Sequence, residues 1–233
     1  MKLLVSGTDT GIGKTVVTCA LLRAMRSRGL SAIGMKPVAA GINPQGGWDD
    51  VDRIREASAF DAPIEDVAPY RLRAAASPHF AAQEERISIQ EEVILAALRR
   101  IEQLAEMVVI EGVGGFRVPL SDQWDSADMA RTIAAPILLV VPMRLGCINH
   151  ALLTAEAIAS RSLTLIGWVA NAGIDADYGR VAATIDTLNH RMVASCVGVL
   201  PARALEQNGA DCLNIDEILT RLRAESIQPR RYS

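Results

Sequence analysis

Gly7-Thr8-Asp9-Thr10-Gly11-Ile12-Gly13-Lys14-Thr15 combines flexible backbone, an ammonium and a hydroxyl in nine residues. Glycines let backbone N–H groups turn inward toward an anion. A helix starting at the Lys-Thr pair adds unpaired N–H donors and partial positive charge. Lys14 is then placed to reach the outer phosphates of a nucleotide, and the Thr15 hydroxyl to ligate Mg²⁺. The bland alternative is a glycine-rich turn that binds nothing. Against it stand the apolar run before the loop and the amphipathic stretch after it, the strand–loop–helix context that phosphate binding needs. The usual spacing puts four residues between the first Gly and the Gly-Lys pair; here there are five.

The basic residues sharpen this. Of 24, only three are lysine (Lys2, Lys14 and Lys36); the other 21 are arginine. A compact ammonium differs from a planar guanidinium in reach, donors and titration. Lys14 stands where a phosphate loop requires lysine, so Lys36 is a candidate for similar work. It follows the apolar run 32–35 and precedes Pro37, past the C-terminal end of an expected strand. That edge is where open α/β sheets bind ligands. Glu111-Gly112-Val113-Gly114-Gly115 follows the apolar run 107–110 in the same manner. A carboxylate there supplies a second anchor for nucleotide-bound Mg²⁺. Asp49-Asp50-Val51-Asp52 opens a helical pattern. Its charge either complements the helix dipole or adds another metal ligand, and the pattern does not choose among the three aspartates. Asn171 ends a further apolar run, and its amide offers the donor and acceptor that suit an adenine edge. Leu145-Gly146-Cys147-Ile148-Asn149-His150 reads as a strand-to-helix turn. Cys147 has no recognisable activating base.

These residues need a frame. Apolar runs of strand length recur at 3–6, 32–35, 107–110, 137–141, 164–170 and 197–200, several of them continuous rather than alternating. Continuous runs mark strands buried on both faces of a parallel sheet. Helical patterns lie between them, at 15–28, 51–60, 89–102, 127–133, 149–160 and 178–189. The alternation predicts an α/β fold: a doubly wound, mainly parallel sheet with helices on both faces. Stretches 38–48 and 62–85 read as irregular inserted loops of the kind that carry substrate contacts. The tail from residue 228 reads as polar and frayed.

Composition narrows the class. The chain of 233 residues is 50% hydrophobic, enough for a large core, and carries a net charge of −3, which argues against nucleic acid as a partner. The longest apolar run, 134–143, is too short to span a membrane and contains Pro136 and Pro142. Strand residues begin almost at once, leaving no room for a signal peptide. Four cysteines without metal-ligand spacing and three scattered histidines suggest reduced thiols in a cytoplasmic protein.

Taken together, the motifs resemble the dethiobiotin synthetase family. The matching segments are Gly7-Thr8-Asp9-Thr10 with Gly13-Lys14-Thr15, Lys36-Pro37-Val38-Ala39, Ser77-Pro78-His79, Glu111-Gly112 with Gly114-Gly115, Pro119-Leu120-Ser121-Asp122, Leu145 to His150, and Gly167-Trp168-Val169-Ala170-Asn171. They run in the family's order over nearly the whole chain, and the five-residue loop spacing is the family's own. The resemblance implies a P-loop NTPase-like fold and one ATP-dependent synthetase domain over residues 1–233. The implied reaction carboxylates 7,8-diaminononanoate with CO₂ and closes the cyclic urea at the expense of ATP. It implies Lys36 and Lys14 as catalytic residues together with Thr10. Gly11, Ile12, Gly13, Lys14 and Thr15 would hold the triphosphate, with Gly112, Val113 and Gly114 lining the nucleotide. Thr15, Asp50 and Glu111 would hold Mg²⁺, Asp50 being preferred because Asp50 to Ile54 matches the family's acidic-to-aliphatic spacing. Asn171 with Pro201, Ala202 and Arg203 would flank adenine. Thr10, Lys36 and Ala40 would contact the diamine. Gly146, Cys147, Ile148 and Asn149 would reach the substrate carboxylate across a homodimer interface. Many members carry Ser at the position of Ala40 and some carry Glu at that of Gly11. Competing readings are another P-loop ATPase, partitioning or amide-forming, and a nucleotide-gated switch that binds a protein partner.

Overall fold

The computed structural model describes residues 1–202 and 209–227. Strand β1 (Lys2–Gly7) runs into the glycine loop, which opens helix α1 (Lys14–Ser27). Then come β2 (Ala32–Met35), β3 (Val38–Ala40), α2 (Asp49–Ala57), α3 (Ile64–Val67), β4 (Tyr70–Leu72), α4 (Pro78–Glu84) and α5 (Glu91–Glu102). The second half continues β5 (Met107–Glu111), α6 (Ser126–Ile133), β6 (Ile137–Pro142), α7 (Cys147–Ala159), β7 (Leu165–Asn171), α8 (Val181–Arg191), β8 (Cys196–Leu200) and α9 (Ile215–Ile227), with a 3-10 turn at Ala210–Cys212.

Six strands form the main sheet in the order β2-β5-β1-β6-β7-β8, each paired parallel to its neighbours. Successive side chains along a strand point to opposite faces. Leu4, Ile110, Leu139 and Trp168 accordingly enter one core, with α5, α6, α7 and α8. Leu3, Val5, Val109 and Val140 enter the other, with α1, Ile54 of α2 and Ile215, Ile218 and Leu222 of α9. Both faces are dry, which is why the strands are continuous apolar runs. The fold is the expected doubly wound, P-loop NTPase-like α/β architecture.

Three readings of the sequence need correction. Region 38–48 is not wholly irregular, since β3 lies within it. Region 62–85 contains α3, β4 and α4. β3 and β4 pair parallel, Val38 with Tyr70 and Ala40 with Leu72. Three-residue strands are too short to show a period, and their partner lies 32 residues away in sequence, as Val38 with Tyr70 shows. Helix α9 went unread although Ile215, Ile218, Leu219 and Leu222 follow the i, i+3, i+4, i+7 pattern and all are buried. Lesser shifts occur at helix ends: α2 begins two residues earlier than expected and α8 three later. The tail from residue 228 and Arg203 lie outside the described residues.

Candidate functional site

The site gathers at the carboxyl ends of β1, β2 and β5, neighbouring strands of the sheet. In the loop after β1, Gly11 and Gly13 adopt φ of +69° and +89°, left-handed conformations that L side chains resist. A Cβ at Gly13 would also lie 2.2 Å from Nδ2 of Asn171. That amide sits where it does because it donates to the Ile12 carbonyl at 2.8 Å, fastening the loop to the end of β7. The Lys14 ammonium, 6% exposed, donates to the Asp9 carbonyl at 2.8 Å. Burial and the like charge of Lys36 pull its pKa down from the ordinary 10.5 to about 8.

Lys36 follows β2 and is 3% exposed. Its ammonium donates to Glu111 Oε1 at 2.5 Å and to the Gly112 carbonyl at 3.3 Å, and lies 3.2 Å from Asp50 Oδ2. Burial alone would lower its pKa; the two carboxylates and their hydrogen bonds reverse this and raise it. Asp50 shows the mirror effect. Burial works to raise its pKa, but Lys36 and the Thr15 hydrogen bond hold it below the ordinary carboxylate value.

Thr15 Oγ1 is 2.7 Å from Asp50 Oδ1 and 3.0 Å from Glu111 Oε1, so one hydroxyl proton lies within reach of both carboxylates. Glu111 is buried at the end of β5, registered beside Val5. Its Oε2 is buried with no hydrogen-bond partner among the described residues. An unsatisfied carboxylate oxygen is costly in a protein interior. Here it belongs to a cluster of two carboxylates and a hydroxyl, a hard oxygen set that suits Mg²⁺ completed by phosphate and water oxygens. The residues present therefore fit the metal.

Among the three aspartates of α2, the geometry is selective. Asp50 faces Thr15 and Lys36, whereas Asp49 accepts from Nδ2 of Asn43 at 2.6 Å on the exposed side. Asn43 also accepts from the Gln45 and Gly47 amides, forming a closed turn ahead of the helix. Trp48 precedes α2 and donates its indole N–H to the Leu72 carbonyl at 2.9 Å, anchoring the helix start on β4. This support was not read from the sequence. Trp48 beside two aspartates was its available signal.

The Gly114-Gly115 turn packs on the phosphate loop. A Cβ at Gly114, whose φ is +60°, would stand 3.4 Å from Thr10 Oγ1, and one at Gly115 would stand 3.6 Å from the Thr8 carbonyl. Thr10 and Gly11 are exposed, Ile12 is buried and Val113 half-buried. At the far side, Asn171 accepts from the Gly173 amide at 3.0 Å. A Cβ at Gly173 would meet Ala202 Cα at 3.0 Å and the Pro201 carbonyl at 3.4 Å. Asn171, Pro201 and Ala202 are thus grouped, beside Ile12. Ala40 ends β3 and is half-buried. Gly146 caps α7, with Cys147 buried, Ile148 half-buried and Asn149 exposed. That turn lies close to the loop through a pair absent from the sequence reading, Arg144 with Asp9 at 2.6 Å. Cys19, in α1, is buried, which lifts its thiol to about 11 and keeps it protonated.

Comparisons with known proteins agree with this architecture. A family described as an AAA domain matches residues 1–208. An ATP-dependent dethiobiotin synthetase of Aromatoleum aromaticum is 51% identical over 199 residues, covering 84% of this chain and 88% of that protein. The chain belongs to the dethiobiotin synthetase family. It is an ATP-dependent enzyme of that family. Enzymes of the same name from Nitrosospira multiformis and a Janthinobacterium species are 45% and 43% identical, covering 84% and 91% of this chain and 86% and 92% of theirs. Among solved structures, the septum site-determining protein MinD of Pyrococcus horikoshii, complexed with Mg-ADP, has a TM-score of 0.54 at 15% identity, covering 98% of this chain and 97% of its own. The MinC:MinD cell division complex of Aquifex aeolicus gives 0.56 at 15% identity, over 100% and 99%. At that identity these two speak for the fold alone. No helix among the described residues is long and apolar enough to cross a membrane.

Proposed function

We propose that this protein carboxylates 7,8-diaminononanoate with CO₂ and closes the ring to dethiobiotin, converting ATP to ADP and phosphate, in the penultimate step of biotin synthesis. One substrate amine attacks CO₂ and loses a proton, giving a carbamate. The carbamate oxygen takes the γ-phosphoryl group from ATP, forming a carbamic-phosphoric mixed anhydride. The neighbouring amine attacks the carbamate carbon and phosphate leaves, giving the cyclic urea. No protein nucleophile is required, because the carbamate is the nucleophile toward phosphorus. Phosphoryl transfer of this kind is accelerated by positioning and charge neutralisation.

The observation that carries the reading is the meeting of two buried lysines, two carboxylates and a threonine at one sheet edge, in a chain 51% identical to an enzyme named for this synthesis. In this reading Lys14 and the amides of residues 11–15 hold the triphosphate. Lys36 stands between carbamate and γ-phosphate as a point charge, and Thr10 lies beside them. Thr15, Asp50 and Glu111 would hold Mg²⁺, which when bound neutralises phosphate charge. Gly112, Val113 and Gly114 close the loop's flank; Asn171, Pro201, Ala202 and Arg203 flank the base. Ala40 contributes no hydroxyl toward the diamine, so the contact that a serine supplies in many relatives is missing.

The reading extends to a homodimer in which residues 146–149 receive the partner's substrate carboxylate. Its support is the apolar surface beside that turn, where Leu145 is 91% and Leu153 of α7 57% exposed. Such residues pack readily against a second copy. We take residues 1–233 as one domain working in the cytoplasm with small-molecule substrates. Incubation with the diamine, bicarbonate, ATP and Mg²⁺, followed by mass detection of the cyclic urea, tests the reaction. ATP consumption that does not depend on the diamine, with no such product, would reject it.

A further inference from the structure

Asp9 presents a contradiction: it puts a negative charge inside a loop shaped to bind polyphosphate. Like charges there oppose binding unless something cancels them. The structure contains the cancelling group. Asp9 Oδ2 accepts from the Arg144 guanidinium at 2.6 Å, across 135 positions of sequence. Oδ1 accepts from the Thr10 amide at 2.7 Å. The Asp9 carbonyl accepts from the Lys14 ammonium at 2.8 Å. Both carboxylate oxygens and the carbonyl of this one residue are thus engaged, and they set the direction of the loop and of Lys14.

Arg144 is itself held by its backbone. It follows β6, whose Gly7–Val140 pairing aligns it beside the end of β1. The preceding amide, Met143, donates to the Asn171 carbonyl at 2.8 Å, and the Arg144 carbonyl accepts from the Cys147 amide at 3.1 Å. The guanidinium is therefore presented from a fixed turn.

We propose that Arg144 is a positioning residue of the nucleotide site: it neutralises Asp9 within the phosphate loop and orients that residue for an incoming polyphosphate. The proposal rests on reading residues 7–15 as the phosphate loop. Both partners are partly solvated, at 37% and 46% side-chain exposure, so the effect is bounded. Arg144→Gln leaves the Asp9 charge uncompensated and raises the Kd for MgADP by about three- to fivefold, the range of a partly exposed pair. The loss shrinks at high salt.

The test is calorimetric titration with MgADP of the parent, Arg144→Gln, Arg144→Lys, Asp9→Asn and the double variant Asp9→Asn/Arg144→Gln, with melting temperatures measured alongside. Arg144→Lys retains most of the affinity. The double variant recovers most of what Arg144→Gln loses, because the charge needing cancellation is gone. Parent-like affinity in Arg144→Gln, with or without a lower melting temperature, overturns the proposal, since a purely structural pair behaves so. A double variant as weak as Arg144→Gln also overturns it, because the guanidinium would then act on the nucleotide and not on Asp9. A parent that fails to bind MgADP rejects the phosphate-loop reading itself, a result distinct from either.

Discussion

Lys14 and Lys36 are buried to nearly the same degree, yet their surroundings treat them in opposite ways. At the end of the phosphate loop, the Lys14 ammonium bonds a neutral carbonyl, and its pKa falls to about 8. In the pocket past β2, Lys36 is held between two carboxylates and a carbonyl, and its pKa rises. Burial opposes both charges; the partners decide the outcome. Lys14 keeps its charge at neutral pH with a carbonyl as its hydrogen-bond partner, so in the proposed reading an incoming phosphate would supply the countercharge. Lys36 completes a charge balance already present, so the fold depends on it before any ligand arrives.

The largest expected effect follows from Lys36. Lys36→Gln leaves Glu111 buried with its countercharge removed and Asp50 beside it. Removing one member of a buried pair costs about 3–5 kcal/mol. Urea unfolding measures this, and added Mg²⁺ recovers part of the loss if the two carboxylates hold it. Lys36→Arg keeps the charge but not the compact shape, and kcat falls strongly while MgADP binding changes little. Parent-like turnover in Lys36→Arg would reduce Lys36 to a generic positive charge.

Lys14→Ala separates the two lysines from the other side. It removes a desolvated charge whose hydrogen bond goes to a carbonyl and not to a carboxylate, so it destabilises the fold far less than Lys36→Gln does. Turnover drops by about 3 kcal/mol or more in transition-state terms, the scale of losing one preorganised phosphate donor. A stability loss as large as that of Lys36→Gln would collapse the distinction between the two sites.

The third prediction is the pH dependence of Lys14. The folded chain gives up this proton near pH 8, the unfolded chain near the ordinary 10.5. Between those values the unfolded state binds more protons, so the Lys14 contribution raises stability with increasing pH, and its penalty is fully present below about pH 8. Nucleotide affinity runs the other way, because phosphate needs the ammonium. The Kd for MgADP rises several-fold between pH 7 and 9, and Lys14→Gln flattens the profile. A parent profile as flat as the variant's would place the Lys14 proton outside that window.

The same contrast marks what a reader of the sequence could see. Lys14, Thr15 and Glu111 were legible because strand, glycine turn and helix dictate where such residues stand. The six long strands were legible because burial on two faces writes a continuous apolar run. β3 and β4 were not, being three residues each and paired across a long insertion. Nor was the Asp9–Arg144 pair, since a contact across 135 positions leaves no periodic trace. For Asn171 the amide chemistry and the family resemblance point to the base; that the same amide fastens Ile12 is visible only in the packing.

The smallest effect concerns the aspartates that open α2, where identical charges sit at adjacent positions and their partners in the fold differ. Asp49 bonds Asn43 on the exposed face; Asp50 bonds Thr15 and pairs with Lys36. Both complement the helix dipole, so each substitution to Asn forfeits a dipole contribution of about 0.3–1 kcal/mol. Beyond that shared term the two diverge. Asp50→Asn removes a carboxylate from the oxygen cluster and from Lys36, so the Mg²⁺ requirement for turnover shifts well above the parent's. Asp49→Asn leaves the cluster intact, because that carboxylate bonds Asn43 and not Thr15 or Lys36, and its Mg²⁺ titration overlays the parent's. Equal shifts in the two variants would mean that charge count near the loop, not the position of one carboxylate, governs the metal.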